Sequence, residues 1–389
     1  MRYFTADALF DGYRFRDMHE VLCVHDDGTI AGFETDIDNV LVNHLPGLLM
    51  PGMINAHCHL ELSAFAGVIP QHTGLVEFLM QINTKRFGFT KEEIVDAIEK
   101  AEAEMLHNGI IAVGDISNGL DSLPQKQQAN LYYHTFVECV GLLDANAEER
   151  FSSAVAIQKS FSALHPSTVV LHAPYSVSQT LRTLVNQYGA GKPSSIHNQE
   201  CDAENEIFLS GTGDFLRLFM SVLQDTSFFI PTHKHSLPSY LSDLRDTDPL
   251  LLVHNTVSTA ADIEFAQANH KNVFWCLCPQ ANLYIENRLP DVQLLKDSGC
   301  KMVIGTDSLA SNTSLNLWNE IKTLQHHFSF IPTEEALRWV TSNASQSLSM
   351  QHKLGSFEAG KQPGLLHIKN YKPQEGIPDH PNCEWLFKS

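Results

Sequence analysis

Positive charge and long apolar runs are both scarce in this chain of 389 residues. Lys and Arg number 26 against 45 Asp and Glu, which gives a formal net charge of −19. Such a field repels phosphate, so we expect neither nucleic acid nor an anionic membrane as a partner. No apolar stretch approaches the roughly 18 residues that span a bilayer, and the N-terminal MRYFTADALFDG lacks the basic and apolar regions of a signal peptide. We therefore expect a cytoplasmic protein that binds a small neutral or cationic molecule, with a homodimer left open.

The sequence also lacks the motifs of disulfide scaffolds and of nucleotide-binding folds. No C-x-x-C occurs, so we expect reduced and mostly buried thiols. Cys276 and Cys278 would share a strand face, but two thiols without a second pair predict a zinc site only weakly. No G-x-G-x-x-G or G-x-x-x-x-G-K-[ST] follows the first strand, which argues against the nucleotide-binding variants of an open doubly wound sheet. The eight cysteines are Cys23, Cys58, Cys139, Cys201, Cys276, Cys278, Cys300 and Cys383.

Eight short apolar or β-branched runs recur along the middle of the chain, separated by segments with helical patterning. One such segment, residues 91–109, repeats apolar residues at helical spacing and ends at Asn108-Gly109. Apolar strands that alternate with helices indicate a parallel sheet covered on its outside, and eight of them fit a (β/α)8 TIM barrel. An open doubly wound sheet is the alternative. The runs are LLMPGMINA, IIAVGDIS, YYHTFVECVG, TVVLHAPYS, SSIHNQE, PLLLVHN, NVFWCLCP and KMVIGTDS.

The two ends of the chain differ from its middle. Residues 1–50 contain alternating runs such as EVLCVHDDGTIAGFE, whose DDG is typical of a hairpin turn, and residues 354–389 are rich in Gly and Pro around LGSFEAGKQPGLLHI. We expect these ends to meet as a small β-sandwich domain that flanks the barrel of residues 51–353.

Polar side chains follow the apolar runs where a barrel places its working groups, at the carboxyl ends of the strands. Side chains alternate along a strand, so His57 and His59 point the same way. A single histidine at a strand end is often a hydrogen-bonded core residue, but several of them with a nearby acid suit Zn²⁺ or Fe²⁺ with an open position for water. The strand ends offer His57, His59, His172, His197, Glu200, His254 and Asp307.

These segments resemble the amidohydrolase superfamily, in its cytosine-deaminase-like and chlorohydrolase-like branch. The matching pieces are PGMINAHCHLE, HNQE, LLVHN, CPQANLYI, GTDSLASN and LGSFEAGK, so the likeness covers nearly the whole chain. The resemblance implies Glu200 as the proton shuttle and His254 as a contact of the metal-bound water. The metal ligands that it implies are His57, His59, His197 and Asp307.

Two positions depart from the pattern of that superfamily. His172 stands where binuclear relatives carry a carboxylated lysine, so we expect one divalent ion, Zn²⁺ first and Fe²⁺ as the alternative. The terminal GK-x-A-D is here GKQPG, which concerns the small domain and not the chemistry.

The resemblance implies hydrolytic deamination of an exocyclic amine on a purine-type base or nucleoside. A divalent ion lowers the pKa of water toward about 7, Asp307 accepts its proton, and Glu200 delivers a proton to the substrate nitrogen. The segments HLELS and GTDSLASNTSLNLW are similar to the corresponding segments of the aminodeoxyfutalosine deaminases. This similarity favours aminodeoxyfutalosine or an adenosine-like compound as the substrate.

Substrate contacts are predicted at four positions in segments that build the pockets of family members. Glu77 reads equally well as a solvated residue of the helical segment 75–86. A second H-x-H, at residues 233–235, lies between two prolines and reads as a loop that lines the pocket mouth. The four predicted contacts are His172, Tyr175, Asn282 and Glu77.

Two other functions stay open on the sequence alone. Hydrolysis of a cyclic amide or of a chloro- or alkylamino-triazine uses the same metal and carboxylates. A metal-binding scaffold without activity predicts a site in which protein ligands fill every coordination position.

Overall fold

The computed structural model describes residues 1–35 and 41–388 and has fourteen strands in those residues. Residues 36–40 of the predicted N-terminal segment, and residue 389 of the C-terminal one, lie outside this description. All eight predicted apolar runs contain strands. The strands are β1 Arg2–Leu9, β2 Val21–Val24, β3 Ile30–Glu34, β4 Val42–Pro51, β5 Met53–Cys58, β6 Ile110–Ser117, β7 Tyr132–Cys139, β8 Ser167–Leu171, β9 Ser194–Asn198, β10 Leu250–His254, β11 Val273–Leu277, β12 Lys301–Ile304, β13 Leu365–Ile368 and β14 Cys383–Phe387.

Helices connect most of the central strands. The described helices are α1 Leu75–Lys85, α2 Lys91–His107, α3 Leu123–Lys126, α4 Ala147–Ser162, α5 Gln179–Tyr188, α6 Asp202–Ser210, α7 Phe215–Leu223, α8 Ser236–Tyr240, α9 Ala260–Asn269, α10 Pro279–Glu286, α11 Val292–Asp297, α12 Leu317–His327, α13 Thr333–Trp339 and α14 Ser342–Ser347. The prediction of α2 is confirmed, and it begins at a capping box in which Thr90 and Glu93 satisfy each other's backbone N–H groups. Among these residues, no helix combines the length and the apolar character that a bilayer crossing requires.

The eight central strands form two parallel four-stranded sheets, in the orders β5-β6-β7-β8 and β12-β11-β10-β9. Hydrogen bonds join the sheets at their carboxyl ends on both sides. The backbone N–H of His197 donates to the carbonyl of His172 at 2.9 Å, and the N–H groups of Thr306 and Asp307 donate to the carbonyl of His57 at 3.0 and 3.1 Å. All eight strand ends therefore face one side of the molecule.

The two parallel sheets share a buried core on their inner faces. Their inward-pointing apolar side chains form one cluster, which holds residues from both sheets, for example Phe136 of β7 and Phe274 of β11. A larger cluster lies between the outer faces and the surrounding helices. A parallel sheet covered in this way explains why the strands read as continuous apolar runs.

Both ends of the chain contribute to a third, mixed sheet. Its order is β14-β13-β4-β1-β2-β3, and β2 pairs with β3 as the antiparallel hairpin that DDG predicts. Strands from both ends of the chain thus lie side by side in one sheet. The described residues there form one six-stranded sheet, so the predicted β-sandwich of two sheets is not confirmed.

Candidate active site

Four side chains with metal-binding atoms meet where the parallel strands end. His57 lies in β5 and His59 follows it, His197 lies in β9, and Asp307 follows β12. Nε2 of His59 is 3.2 Å from Nε2 of His57 and 3.3 Å from Nε2 of His197. Oδ1 of Asp307 is 3.4 Å from Nε2 of His59 and 3.6 Å from Nε2 of His57. The structure therefore brings together the four predicted ligands from distant parts of the chain.

The spacing of these donor atoms fits one small divalent ion. In a tetrahedral site with metal–nitrogen distances of about 2.0–2.1 Å, neighbouring donor atoms lie about 3.3–3.4 Å apart. Nδ1 of His197 donates to the carbonyl of His172 at 2.8 Å, which leaves the lone pair of Nε2 facing the other ligands. Burial lowers the pKa of His59 to about 4 and holds the pKa of His197 well below its usual value, so both rings are neutral donors.

Asp307 is held in its ionised form. Burial by itself would raise the pKa of its carboxyl, but the neighbouring imidazoles of His57, His59 and His254 hold the pKa well below its usual value. Oδ2 accepts a hydrogen bond from the hydroxyl of Ser311 at 2.5 Å, while Oδ1 faces the histidines. One carboxylate oxygen is thus positioned by the protein and the other is available to a metal.

The backbone two residues before Asp307 packs so closely against His57 that only glycine fits at position 305. A Cβ atom on Gly305 would lie 2.7 Å from the carbonyl oxygen of His57 and 2.8 Å from its Cβ. Asp307 itself has a φ of +56°, in the left-handed region that non-glycine residues rarely adopt. Strained residues of this kind cluster at functional sites, and the GTD segment combines both features.

Glu200 and His254 lie beside this cluster, 3.7 Å apart between Oε2 and Nε2. Burial raises the pKa of Glu200 well above its usual value, which favours the protonated form of its side chain. Burial also lowers the pKa of His254 to about 4, so its ring is neutral. Asn282 donates its own N–H to Thr256, so its Oδ1, 3.2 Å from Nδ1 of His254, accepts the ring proton. Nε2 of His254 therefore has a free lone pair toward Glu200.

Buried carboxylates hold the loops that present these residues. Oδ1 of Asp115 accepts from the backbone N–H of Leu60 at 2.8 Å, directly after the H-x-H pair. Glu204 accepts from the N–H groups of Gln199 at 2.9 Å and Glu200 at 3.2 Å. Sequence reasoning missed both carboxylates. Glu204 carries a recognisable signal, since it lies in the first turn of a helix after a strand end, whereas Asp115 lies within β6.

A cavity of about 420 Å³ opens above the cluster. Its floor contains His59, His197, Glu200, His254 and Asp307. One side is apolar and comes mainly from α1 and α7, with residues Leu75, Phe78, Leu79, Ile82, Leu218, Phe219, Val222 and Leu223; we call this side the apolar wall. Two exposed arginines, Arg86 and Arg150, stand at the mouth.

The predicted substrate contacts fall in different places. His172 and Tyr175 line the cavity, whereas Asn282 is not among the lining residues and contacts His254 from behind. Glu77 is also absent from the lining, because it points from α1 toward Arg217, whose Nη2 lies 2.9 Å from its Oε2. A role for Glu77 in substrate binding stays a prediction.

The two weaker metal-binding motifs are the second H-x-H and the cysteine pair, and both lie away from the cluster of four predicted ligands. Residues 233–235 form a loop, as predicted, but they are not among the residues that line the cavity, and His235 faces Asp262 at 3.0 Å. Cys276 and Cys278 belong to no group of metal-binding side chains in the described part of the chain. All eight cysteines are free thiols, as predicted.

Among the residues that line the cavity, Glu61, Asn118 and Glu138 are polar groups that sequence reasoning missed. Glu61 belongs to the HLE continuation of the H-x-H motif, and Glu138 is the last residue but one of the run YYHTFVEC, so the strand-end rule could have found both. Asn118 directly follows β6, and the same rule applies to it.

Comparisons with known proteins agree with this geometry. The model of the amidohydrolase family matches residues 48–384. Adenosine deaminase of Helicobacter pylori is 27% identical over 327 residues, which cover 82% of this chain and 78% of that protein. The structure of Helicobacter pylori aminofutalosine deaminase with methylthio-coformycin has a TM-score of 0.84 at 21% identity and covers 97% of this chain and 93% of its own. A zinc-bound adenosine deaminase from Xanthomonas campestris has a TM-score of 0.75 at 20% identity, with coverages of 97% and 86%.

Proposed function

The chain belongs to the amidohydrolase family, and from that premise we propose that it is a metal-dependent hydrolytic deaminase of adenine nucleosides. The observation that carries this proposal is the meeting of three imidazoles and a carboxylate beside a buried glutamic acid whose pKa is raised by burial. The names of the similar proteins support it, because both the sequence relative and the structural neighbours are called adenosine or aminofutalosine deaminases.

The proposed metal site consists of His57, His59, His197 and Asp307. An ion bound there would act as a Lewis acid and lower the pKa of water toward about 7. We propose Zn²⁺ in a single site, with Fe²⁺ as the other ion that this mixture of imidazole and carboxylate accepts. A neighbour with bound zinc supports the first choice.

The side chains can move every proton that deamination requires. Water adds its oxygen to the carbon that bears the amine, and one of its protons passes to the Asp307 carboxylate or to the free lone pair of His254. Glu200 donates its proton to the ring nitrogen of the substrate, which makes the carbon more electrophilic. The departing amine takes up the proton that Asp307 or His254 accepted, and the carbon–nitrogen bond breaks. The hydroxyl group of the adduct returns its proton to Glu200 as it becomes a carbonyl, and ammonia leaves with the ring intact.

The shape of the cavity supports an adenine nucleoside with an apolar substituent at the 5′ position. A volume of about 420 Å³ is within the range of small-molecule sites. The apolar wall offers no hydrogen-bond partner to a 5′-hydroxyl but suits a methylthio group, as in the ligand of the aminofutalosine deaminase structure. Beyond that apolar substituent, Arg86 and Arg150 at the mouth would suit an anionic group at the far end of a longer 5′ arm.

We also propose that the eight parallel strands close into a (β/α)8 barrel over residues 51–353. The hydrogen bonds at both edges of the paired sheets support closure. Residues 1–50 and 354–389 would then form the small β domain. A crystal structure with an added divalent ion would test the closure and the metal site together.

An ammonia-release assay on metal-depleted protein tests the activity. We expect chelation to abolish turnover, and Zn²⁺ or Fe²⁺ to restore it, with adenosine, 5′-deoxyadenosine, methylthioadenosine and aminodeoxyfutalosine as substrates. Guanine, pterins, cytosine and a triazine are the comparison panel. Full activity of the chelated protein would contradict the metal site, and ring opening without ammonia release would contradict deamination.

A further inference from the structure

A buried carboxylate on α12 connects two of the segments that present the cavity floor. Glu320 is fully buried and does not line the cavity. Its Oε2 accepts from the backbone N–H of Gln280 at 2.9 Å, at the start of α10. Its Oε1 accepts from the side-chain N–H of Asn312 at 2.7 Å, in the loop after β12. Glu320 therefore joins the connections that follow β11 and β12.

The bond from Asn312 ties Glu320 to the loop that carries Asp307. The side-chain amide of Asn312 also donates to the carbonyl of Thr306 at 2.9 Å, so it uses both of its protons. Thr306 directly precedes Asp307, and its backbone N–H donates to Oδ1 of Asn55 in β5 at 3.1 Å. A change at Glu320 that moves Asn312 therefore disturbs the backbone beside the carboxylate of Asp307.

The bond from Gln280 ties Glu320 to the helix that orients His254. The N–H of Gln280 is one of the first N–H groups of α10, which have no carbonyl partner within the helix. Asn282 lies in the same first turn, and its Oδ1 accepts the ring proton of His254 from Nδ1 at 3.2 Å. Loss of the bond to Glu320 would let this turn fray, and Asn282 would then hold the tautomer of His254 less firmly.

Glu320 has no cation to balance its charge in the part of the chain that the structure describes, where its partners are the two N–H donors. Burial raises the pKa of Glu320 to about 8. Both oxygens face N–H donors, so a proton on either oxygen would cost one of the two hydrogen bonds. A local cost of this kind is more typical of functional sites than of cores that only stabilise a fold.

We propose that Glu320 is a positioning residue for Asp307 and His254, the two groups that can accept the proton of the attacking water. This inference rests on the proposed deaminase function. One oxygen holds the loop of Asp307 and the other holds the helix of Asn282, so a single carboxylate fixes the two acceptors relative to each other. Proton transfer depends steeply on such geometry, and Glu320 acts on it only through these two segments.

The variant Glu320→Gln is the first test. It places an amide N–H where one oxygen accepts, so one of the two hydrogen bonds is lost while the size of the side chain is kept. We expect kcat for adenosine to fall ~10-fold or more, with KM within ~2-fold and the zinc content unchanged, because the misplaced acceptors are needed only for the chemical step. An unchanged kcat, with or without a lower melting temperature, would overturn the proposal.

Glu102→Gln is the matched control for a buried acid. Glu102 is 1% exposed and accepts from the hydroxyl of Tyr133 at 2.6 Å and the side-chain N–H of Asn130 at 2.9 Å, and it does not line the cavity. The same atoms are thus exchanged away from the two segments, and we expect kcat within ~2-fold of the wild type. A loss of kcat as large as that of Glu320→Gln would make the effect a general one and overturn the proposal.

A double-mutant cycle tests whether Glu320 acts through α10. Asn282→Ala removes the acceptor of the His254 ring proton, and we expect it to lower kcat ~10-fold. The double variant with Glu320→Gln should lose clearly less than the product of the two single losses, since the second change acts on an orientation that is already lost. Losses that multiply would overturn the proposal.

The two hypotheses fail in different ways. A zinc-loaded wild type that releases ammonia from none of the nucleosides contradicts the deaminase function itself. NMR of protein with ¹⁵N-labelled histidine then reports on the ring of His254 without a substrate, and His254→Gln assigns its signals. We expect one tautomer with the proton on Nδ1 in the wild type and in Glu102→Gln, and averaged shifts of the two ring nitrogens in Glu320→Gln. Identical His254 signals in all three proteins contradict the positioning role alone.

Discussion

The floor and the apolar wall of the cavity are built on opposite principles. The floor consists of buried titratable groups on strand ends, and further buried carboxylates such as Asp115 and Glu204 hold its loops in place. The apolar wall consists of aliphatic and aromatic side chains on α1 and α7, two helices in the long connections after β5 and β9. The comparison indicates that the chemistry depends on a rigid scaffold of strand ends. Substrate selection depends on helices whose residues can be replaced without disturbing that scaffold.

Loss of the acid in the floor should give the largest effect. We expect Glu200→Gln to keep its metal and to lose kcat by at least ~10²-fold, the low end of what general acid–base groups contribute. Steady-state kinetics and metal analysis on the same preparation measure both quantities. Near-normal turnover would remove Glu200 from the reaction and break the assignment of chemistry to the floor.

Disturbance of the support beneath Glu200 should give a smaller effect on the same quantity. In Glu204→Gln, an amide N–H replaces one of the oxygens that accept from the backbone of Gln199 and Glu200. We expect kcat to fall ~10-fold, with KM within ~2-fold and the metal content unchanged, because the misplaced acid is needed only for the chemical step. A lower melting temperature with unchanged kcat would show that Glu204 only stabilises the fold.

A change in the apolar wall should appear in KM instead. Leu79 is partly exposed to the cavity, and Leu79→Ala removes apolar contact worth about 1–2 kcal/mol. We expect KM for methylthioadenosine to rise ~10-fold, with kcat and the KM for adenosine within ~2-fold. Met220→Ala on the outer face of α7, which is 50% exposed, is the control. A fall in kcat would contradict the division between wall and floor.

The smallest predicted effect is the share of the pH dependence of stability that comes from His134, a buried residue of β7. Burial lowers the pKa of His134 in β7 to about 3, so this ring is neutral when folded. The folded pKa of His134 lies below the ordinary value of 6.5. The stability that the neutral ring contributes is therefore fully present above pH 6.5 and is lost as the pH falls toward 3. Between pH 8 and 6 it should account for about 0.8 kcal/mol of the loss in the free energy of unfolding.

His134→Leu should remove this share of the pH dependence. Urea unfolding of chelated wild type and variant at pH 8 and pH 6 measures it, with the other histidines contributing equally to both proteins. An identical loss in the variant would show that the pKa of His134 is the same in the folded and unfolded chains.

Much of this protein was predictable because its signals are local. Alternating apolar strands and helices predicted the parallel sheets, since strands covered on both faces need continuous apolar runs. The strand-end rule predicted that the polar groups after these strands would meet, because the predicted barrel brings the carboxyl ends of its parallel strands to one side. The resemblance then singled out His57, His59, His197 and Asp307 as metal ligands. The resemblance of the motifs to one superfamily then supplied the expected reaction.

The tertiary structure decided what depends on side-chain direction and on packing between distant segments. Glu77 was predicted to contact the substrate, yet it faces Arg217 outside the cavity, whereas Glu138, which was not predicted, lines the cavity. Neither the packing of α1 against α7 nor the position of Glu138 in the cavity lining follows from periodicity, because each depends on where remote elements lie in the folded chain. Sequence therefore determined which groups can react, and only folding decided which groups face the substrate.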